Sequence, residues 1–351
     1  MSLLSKLKKN SLIQESSVLA ESTLFSEKAT IPTSIPIINV ALSGKLDGGF
    51  SSGLHMWAGP SKHFKTAFML LMVKAYLDKY EDGVILFYDS EFGSPQGYFK
   101  SFGIDTNRVL HTPIMDVEQL KFDIMSQLQN IVRGEHVMIV IDSIGNLASR
   151  KEVDDALEQK SVADMSRAKQ FKSLFRMVTP HLTMKELPMV VINHTYKEIG
   201  MYPKDVVGGG TGSYYSADNI YIVGRQQEKD GTEIVGYNFI INVEKSRTVK
   251  EKSKIPVTVT YEGGISKWSG LLEIALLSGH VIKPKNGWYQ RVLDGGEVDE
   301  KNYREKDTDN KDFWIPIIKQ DSFRKFVENT YCISTGTMVS DEEITEAFKE
   351  A

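Results

Sequence analysis

From Ile35 to about Gly270, short apolar runs rich in β-branched residues alternate with stretches at helical spacing. That alternation predicts βαβ units around a parallel sheet, whose strands are apolar throughout because helices cover both faces. The clearest strands are Leu54–Ala58, Val84–Tyr88, Val137–Ile141, Met189–Ile192, Asn219–Val223 and Tyr237–Val243. Each of the first four runs directly into polar residues, and open α/β sheets bind ligands at the carboxyl ends of their strands, so the active site is expected there. Before this region, Ser11 to Thr30 carries apolar side chains at helix-like spacing up to Ile31-Pro32, which predicts an arm with an amphipathic stretch from Leu12 to Phe25. After Gly270 the pattern becomes a helix over Leu271–Leu277, a glycine-rich hairpin around Gly287 and Gly295-Gly296, and a late helix over Asp321–Tyr331. The expected division is an arm over 1–30, an α/β core over 31–270 and a small α+β domain over 271–351.

Composition narrows the classes. With 351 residues, 41% hydrophobic and 25% charged, the chain is long enough for one full α/β domain and a small second one. No run approaches the roughly 18 apolar residues of a membrane span. Met1 to Asn10 mixes leucines with Lys6, Lys8 and Lys9 and has no secretory apolar region, so a cytoplasmic protein without a membrane partner is expected. The single Cys332 excludes an internal disulfide and a cysteine metal cluster, leaving carboxylates and phosphates to hold any metal. A net charge of −4 argues against coating nucleic acid by bulk positive charge, so any such site must be a local patch.

The strongest chemical signal follows the first strand. Gly59-Pro60-Ser61-Lys62-His63-Phe64-Lys65-Thr66 precedes an apolar helix from Ala67 to Tyr76, the context of a P-loop. There, backbone N–H groups converge on phosphates at a helix N-terminus, Lys65 adds a point charge and the Thr66 hydroxyl holds Mg²⁺. Phe64 departs from the pattern, since a second glycine normally stands at that position. Asp142-Ser143 ends the Val137 run, where a P-loop ATPase needs a carboxylate that reaches Mg²⁺ through a water. Strand Val84–Tyr88 delivers Asp89-Ser90-Glu91, two carboxylates on one side of an extended chain, and Glu91 is assigned as the one that polarises water against the γ-phosphate. Between Thr195 and Ala217 periodicity is lost around Gly208-Gly209-Gly210-Thr211-Gly212, a segment expected not to order itself. From Glu244 to Lys254 five basic residues stand against two acidic ones, which on composition alone reads as a solvated hairpin face.

The order of P-loop, Asp-x-Glu, apolar run with Asp-Ser, then Ile192-Asn193-His194 resembles the RecA family over nearly the whole chain. Phe87 to Gly93, Ile141 to Ser149, Asn242 to Lys254, the Phe64 P-loop and the closing Lys283 to Tyr289 are most similar to the UvsX recombinases of T-even-type phages. The resemblance implies a RecA-like P-loop ATPase core with a central, mostly parallel sheet, an N-terminal polymerisation arm and a small C-terminal domain. It implies an ATP-dependent recombinase that uses ATP and Mg²⁺, forms a head-to-tail filament on single-stranded DNA and exchanges strands with homologous double-stranded DNA. That activity supports recombination-dependent replication and repair in the bacterial host cytoplasm, alongside a recombination mediator and a single-strand binding protein.

The same resemblance gives Glu91 and Asp142 the family's catalytic and Mg²⁺-linked roles, places Tyr98 where an aromatic ring stacks on adenine, and makes His194 a polar switch that senses the γ-phosphate. It turns the loop after His194 into a DNA-binding loop, with Met201 and Tyr202 as wedges and the Gly208, Gly209 and Gly210 backbone on phosphates. A first DNA loop follows around Ser149 to Ser166, with Arg150, Lys151, Lys160 and Arg167 as phosphate partners. Lys245 and Arg247 match positions that reach the ATP of a neighbouring protomer. The acidic end, Asp341-Glu342-Glu343 with Glu346 and Glu350, is similar to tails that restrain DNA access. Two other readings stay open: a DNA helicase or translocase on the same core, or an ATP-regulated single-strand DNA binding protein in which Phe64 cripples turnover.

Overall fold

A computed structural model describes residues 2–13, 15–22, 28–159, 166–198, 200 and 205–334. Met201, Tyr202, Lys160 and the acidic end from Asp341 lie outside the described residues. Packing groups the chain into two compact units at points other than the motif-based division: residues 1–34 with 49–225, and residues 35–48 with 226–351.

The strands of the first unit are β1 (Gly53–Ala58), β2 (Val84–Asp89), β3 (Val109–Pro113), β4 (Val137–Asp142), β5 (Pro188–Asn193), the short β6 (Thr195–Lys197) and β7 (Asp205–Val207), and β8 (Asn219–Asp230), whose last five residues belong to the second unit. Six of them form a sheet in the order β8-β1-β5-β4-β2-β3, with every neighbouring pair parallel. β1, β4 and β5 are buried at every position, as expected for parallel strands covered on both sides. One face packs against Val117, Leu120, Ile124 and Leu128 of the helix Val117–Asn130 and Phe171, Leu174, Phe175 and Val178 of the helix Ser166–Lys185. Asp116 starts the first of these by accepting the Gln119 N–H at 2.7 Å. The helix Lys65–Lys79 contacts β1, β4 and β5, and Trp57 stacks on its Phe68 with centroids 4.9 Å apart. Register aligns the strand ends: Ala58 lies opposite Asn193, and Asp89 opposite Asp142.

Two expectations change here. The arm's helix spans Leu3–Lys9; the only helical turn described between Leu12 and Phe25 is a single 3₁₀ turn over Leu19–Glu21. Ser11 explains part of this: its hydroxyl accepts the Ile13 N–H at 3.2 Å, offering the backbone a partner other than a helix. In the segment after His194, expected not to order itself, the described residues include β6 and β7, which pair antiparallel, and a helix over Thr211–Ser216.

In the second unit β9 (Glu233–Lys245), β10 (Lys254–Thr260) and β11 (Gly264–Ile265) are antiparallel neighbours, and the helix Pro36–Ser43 packs on β10. Helices over Leu271–Leu277 and Asp321–Tyr331 and the hairpin of β12 (Val281–Lys285) with β13 (Trp288–Arg291) occupy the expected positions; a helix over Lys311–Ile318 completes the unit.

Candidate nucleotide-binding site

β1 delivers the chain into the Gly59–Phe64 loop. A Cβ at Gly59 would lie 2.9 Å from the Val223 carbonyl oxygen, so only glycine lets the loop leave this close to β8. Phe64 adopts φ 62° and ψ 15°, the left-handed conformation that a glycine would take more easily. Its ring lies edge-on to Phe68 with centroids 5.7 Å apart, a contact glycine lacks. The helix begins at Lys65 with no side-chain cap, so its first N–H groups point at the loop with the positive end of the helix dipole behind them. Arg225 donates to the Lys62 carbonyl at 3.2 Å and braces the loop from β8.

Lys65 is buried, and its ammonium donates to the Pro60 carbonyl at 2.8 Å. Burial holds its pKa below the usual lysine value, against the opposing pull of Glu91 and Asp142. From β4, Asp142 accepts the Thr66 hydroxyl on Oδ2 at 2.8 Å, while its buried Oδ1 has no hydrogen-bond partner among the described residues. Burial pushes this carboxyl up to about 6, opposed by the Thr66 bond and aided by repulsion from Glu91 and Asp89. A buried carboxylate with one orphan oxygen beside a threonine hydroxyl is the donor set a hard divalent cation takes.

The two carboxylates at the end of β2 have different surroundings. Asp89 accepts the Glu91 and Phe92 N–H groups on Oδ1 at 3.1 and 2.8 Å and faces His111 on Oδ2 at 3.2 Å, so it builds the turn. Glu91 is held by side chains alone. Its Oε1 accepts from Ser143 Oγ at 2.6 Å and from His194 Nε2 at 3.0 Å, with Asn146 Nδ2 at 3.4 Å. The His194 bond chiefly, then the Ser143 bond, lower its pKa against the opposing effect of burial. Ser143 is itself fixed by Ser90, whose hydroxyl donates to the Ser143 carbonyl at 2.6 Å and accepts its N–H at 3.0 Å.

A cavity of about 370 Å³ joins these groups, lined among others by Lys62, Phe64, Lys65, Thr66, Glu91, Tyr98, Asp142 and His194. The structure thus brings the P-loop, Tyr98, Glu91, Asp142 and His194 to one place. Ser143, Asn146, Asn193 and Arg225 complete the site and had no assigned role in the sequence; the Asp-Ser and Asn-His pairs at the ends of β4 and β5 pointed to Ser143 and Asn193, and no such pair marked Asn146 or Arg225.

The loops leave from the same edge. Asn193 Nδ2 donates to the Gly208 carbonyl at 2.8 Å and the Gly208 N–H to the His194 carbonyl at 2.9 Å, tying the two ends of the second loop together. Arg150 and Lys151 open the helix Arg150–Leu157 and pair with Asp116 at 3.5 Å and with Asp155, respectively. Arg167 is engaged within the protein: its guanidinium donates to the carbonyls of Leu147, Ile144 and Gly145 at 2.6, 2.9 and 2.6 Å. Lys245 ends β9 in the second unit, and Arg247 lies in the turn after it, where Ser246 Oγ accepts the Thr248 and Val249 N–H groups.

The RecA N-terminal domain model matches residues 16–266, and the model of the C-terminal domain of the bacteriophage T4 recombination and repair protein matches residues 268–327. The chain is 50% identical over 348 residues to the recombination and repair protein of Enterobacteria phage T4, covering 98% of this chain and 88% of that protein. It is 27% identical to protein RecA of a Nocardioides species, over 79% of each chain. With protein RecA of Streptomyces rimosus it shares 28% identity over 83% of this chain and 75% of that one.

Proposed function

The chain belongs to the RecA family, and from that premise we propose that it is an ATP-dependent recombinase that assembles on single-stranded DNA and exchanges strands with a homologous duplex. The observation that supports this reading best is the convergence of Glu91, Lys65, Thr66 and Asp142 on one cavity whose far wall, His194, is also the root of the second loop.

The uncapped helix N-terminus and Lys65 bind the phosphates of ATP, and Tyr98 offers a ring to the base. Thr66 and Asp142 would hold Mg²⁺, which when bound neutralises charge on the phosphate oxygens. Glu91 accepts a proton from water as the water oxygen bonds to the γ-phosphorus and the bond to the bridging oxygen breaks, releasing the terminal phosphate. Lys245 and Arg247 act on the ATP of a neighbouring protomer, so turnover depends on head-to-tail assembly through the arm over 1–30. Arg150, Lys151 and the Gly208–Gly210 backbone contact DNA phosphates, and Met201 and Tyr202 contact bases; homology is tested by base pairing itself. Among the described residues no helix is long and apolar enough to cross a membrane. Action in the host cytoplasm with a mediator and a single-strand binding protein completes the proposal.

The test is ATP turnover with and without single-stranded DNA, paired with strand exchange between that strand and a homologous duplex. Stimulated turnover with joint molecules is expected. Stimulated turnover with duplex unwinding and no joints would point to a helicase, and DNA binding without turnover to a regulated binding protein.

A further inference from the structure

Three donors reach one oxygen of Glu91, and they come from two places. Ser143 and Asn146 stand at the end of β4, on the segment that runs into the first loop; His194 stands at the end of β5, on the root of the second. Each root is cross-tied. Arg167, at the far end of the first loop, grips the carbonyls of residues 144, 145 and 147, while the Ser149 and Ser166 hydroxyls meet at 2.6 Å. Gly208, at the far end of the second loop, is bonded to Asn193 and His194. The two roots also touch: a Cβ at position 145 would lie 2.1 Å from His194 Cδ2, so the imidazole rests directly on the Gly145 backbone.

We propose that Ser143, Gly145 and Asn146 are positioning residues which, with His194, form a two-armed clamp on Glu91, one arm rooted in each loop, so that DNA at either loop governs the base. This rests on the reading of the two loops as DNA-binding. A carboxylate oxygen that already accepts two hydrogen bonds has fewer lone-pair directions left for a water, and each donor stabilises the anion and weakens it as a base. A force on the first loop acts through Arg167 on the segment that carries Asn146. A force on the second acts through Gly208 on His194. Because the arms meet at Gly145, neither root shifts without the other.

The test uses the full-length chain with Asn146→Ala and Gly145→Ala. Asn146 is exposed, so its replacement spares the fold; the added methyl at 145 pushes the imidazole off Glu91. Turnover is measured with and without single-stranded DNA, together with KM for ATP and DNA affinity. Both variants are expected to raise DNA-free turnover at least threefold and to lower the DNA-stimulated ratio, with KM and DNA affinity within about twofold of wild type. A purely structural role would change KM or DNA affinity instead, and that result overturns the clamp. So does an Asn146→Ala protein whose stimulated ratio matches wild type, even if Gly145→Ala fails to fold. Wild-type turnover that DNA does not raise would overturn the recombinase reading and the clamp together, which distinguishes the two failures.

Discussion

Phe64 allows a direct measurement of what the departure in the phosphate loop costs and contributes. Its left-handed backbone carries a penalty of about 1–2 kcal/mol for a residue with a Cβ. The edge-on contact with Phe68 returns about 0.5–1.5 kcal/mol beyond the area it buries. Phe64→Ala keeps the strain and loses the ring, so it should destabilise the protein by about 1–2 kcal/mol. Phe64→Gly loses the same ring but relieves the strain, less about 0.5–1 kcal/mol for the greater freedom of glycine in the unfolded chain. The glycine variant should therefore be the more stable of the two by about 0.5–1 kcal/mol, a difference of roughly 1–4 °C in Tm for units of this size. Thermal unfolding of both variants against wild type measures it. An alanine variant as stable as the glycine variant would refute the strain argument. Turnover tests the other half: both variants keep the backbone N–H groups, so kcat should stay within about threefold of wild type, whereas a rise above about tenfold in Phe64→Gly would show that the ring suppresses hydrolysis.

Further outcomes follow from the site. Lys65→Ala should abolish turnover and weaken ATP binding, whereas Glu91→Gln should retain ATP and single-strand binding while turnover falls by about 10²-fold or more; equilibrium binding beside steady-state rates separates the two. Asp142, pushed up to about 6, takes up a proton in the folded protein between that pH and the ordinary carboxylate range, where the unfolded chain stays ionised. Its contribution thus makes the metal-free protein more stable as pH falls through that window, while Mg²⁺·ATP protection weakens because the protonated acid no longer attracts a cation; thermal shift with and without Mg²⁺·ATP across pH 5 to about 7.5 should show the opposed trends. If Arg150 and Lys151 neutralise phosphates, single-strand affinity should fall with salt at about −0.7 per contact in a log–log plot, and replacing both by alanine should flatten the slope by about 1.4.

How much of this was legible depended on burial. β1, β4 and β5 announced themselves because strands apolar on both faces have little alternative in a chain of this composition. β3 did not: Val109–Pro113 is an edge strand with mostly exposed or half-exposed positions and carries His111, Thr112 and Pro113. β10 was hidden by Pro256, which reads as a breaker but lies beyond the reach of the two-residue β11, where no partner needs its missing N–H. The candidate site residues could be read one strand end at a time. Their mutual contacts could not, because Glu91 meets Ser143 and His194 only after two crossovers bring β4 and β5 into register.

The order β8-β1-β5-β4-β2-β3 also separates the sequence of synthesis from the sequence of assembly. β1 leaves the ribosome before the other strands of that sheet, yet both of its neighbours, β5 and β8, are translated after β2, β3 and β4. The nascent chain therefore carries an apolar strand with two open edges while the later half of the sheet is being made, a natural client for a holding chaperone. The Gly59–Thr66 loop, attached to that strand, is thus translated early, well before the neighbours β5 and β8 that flank its strand.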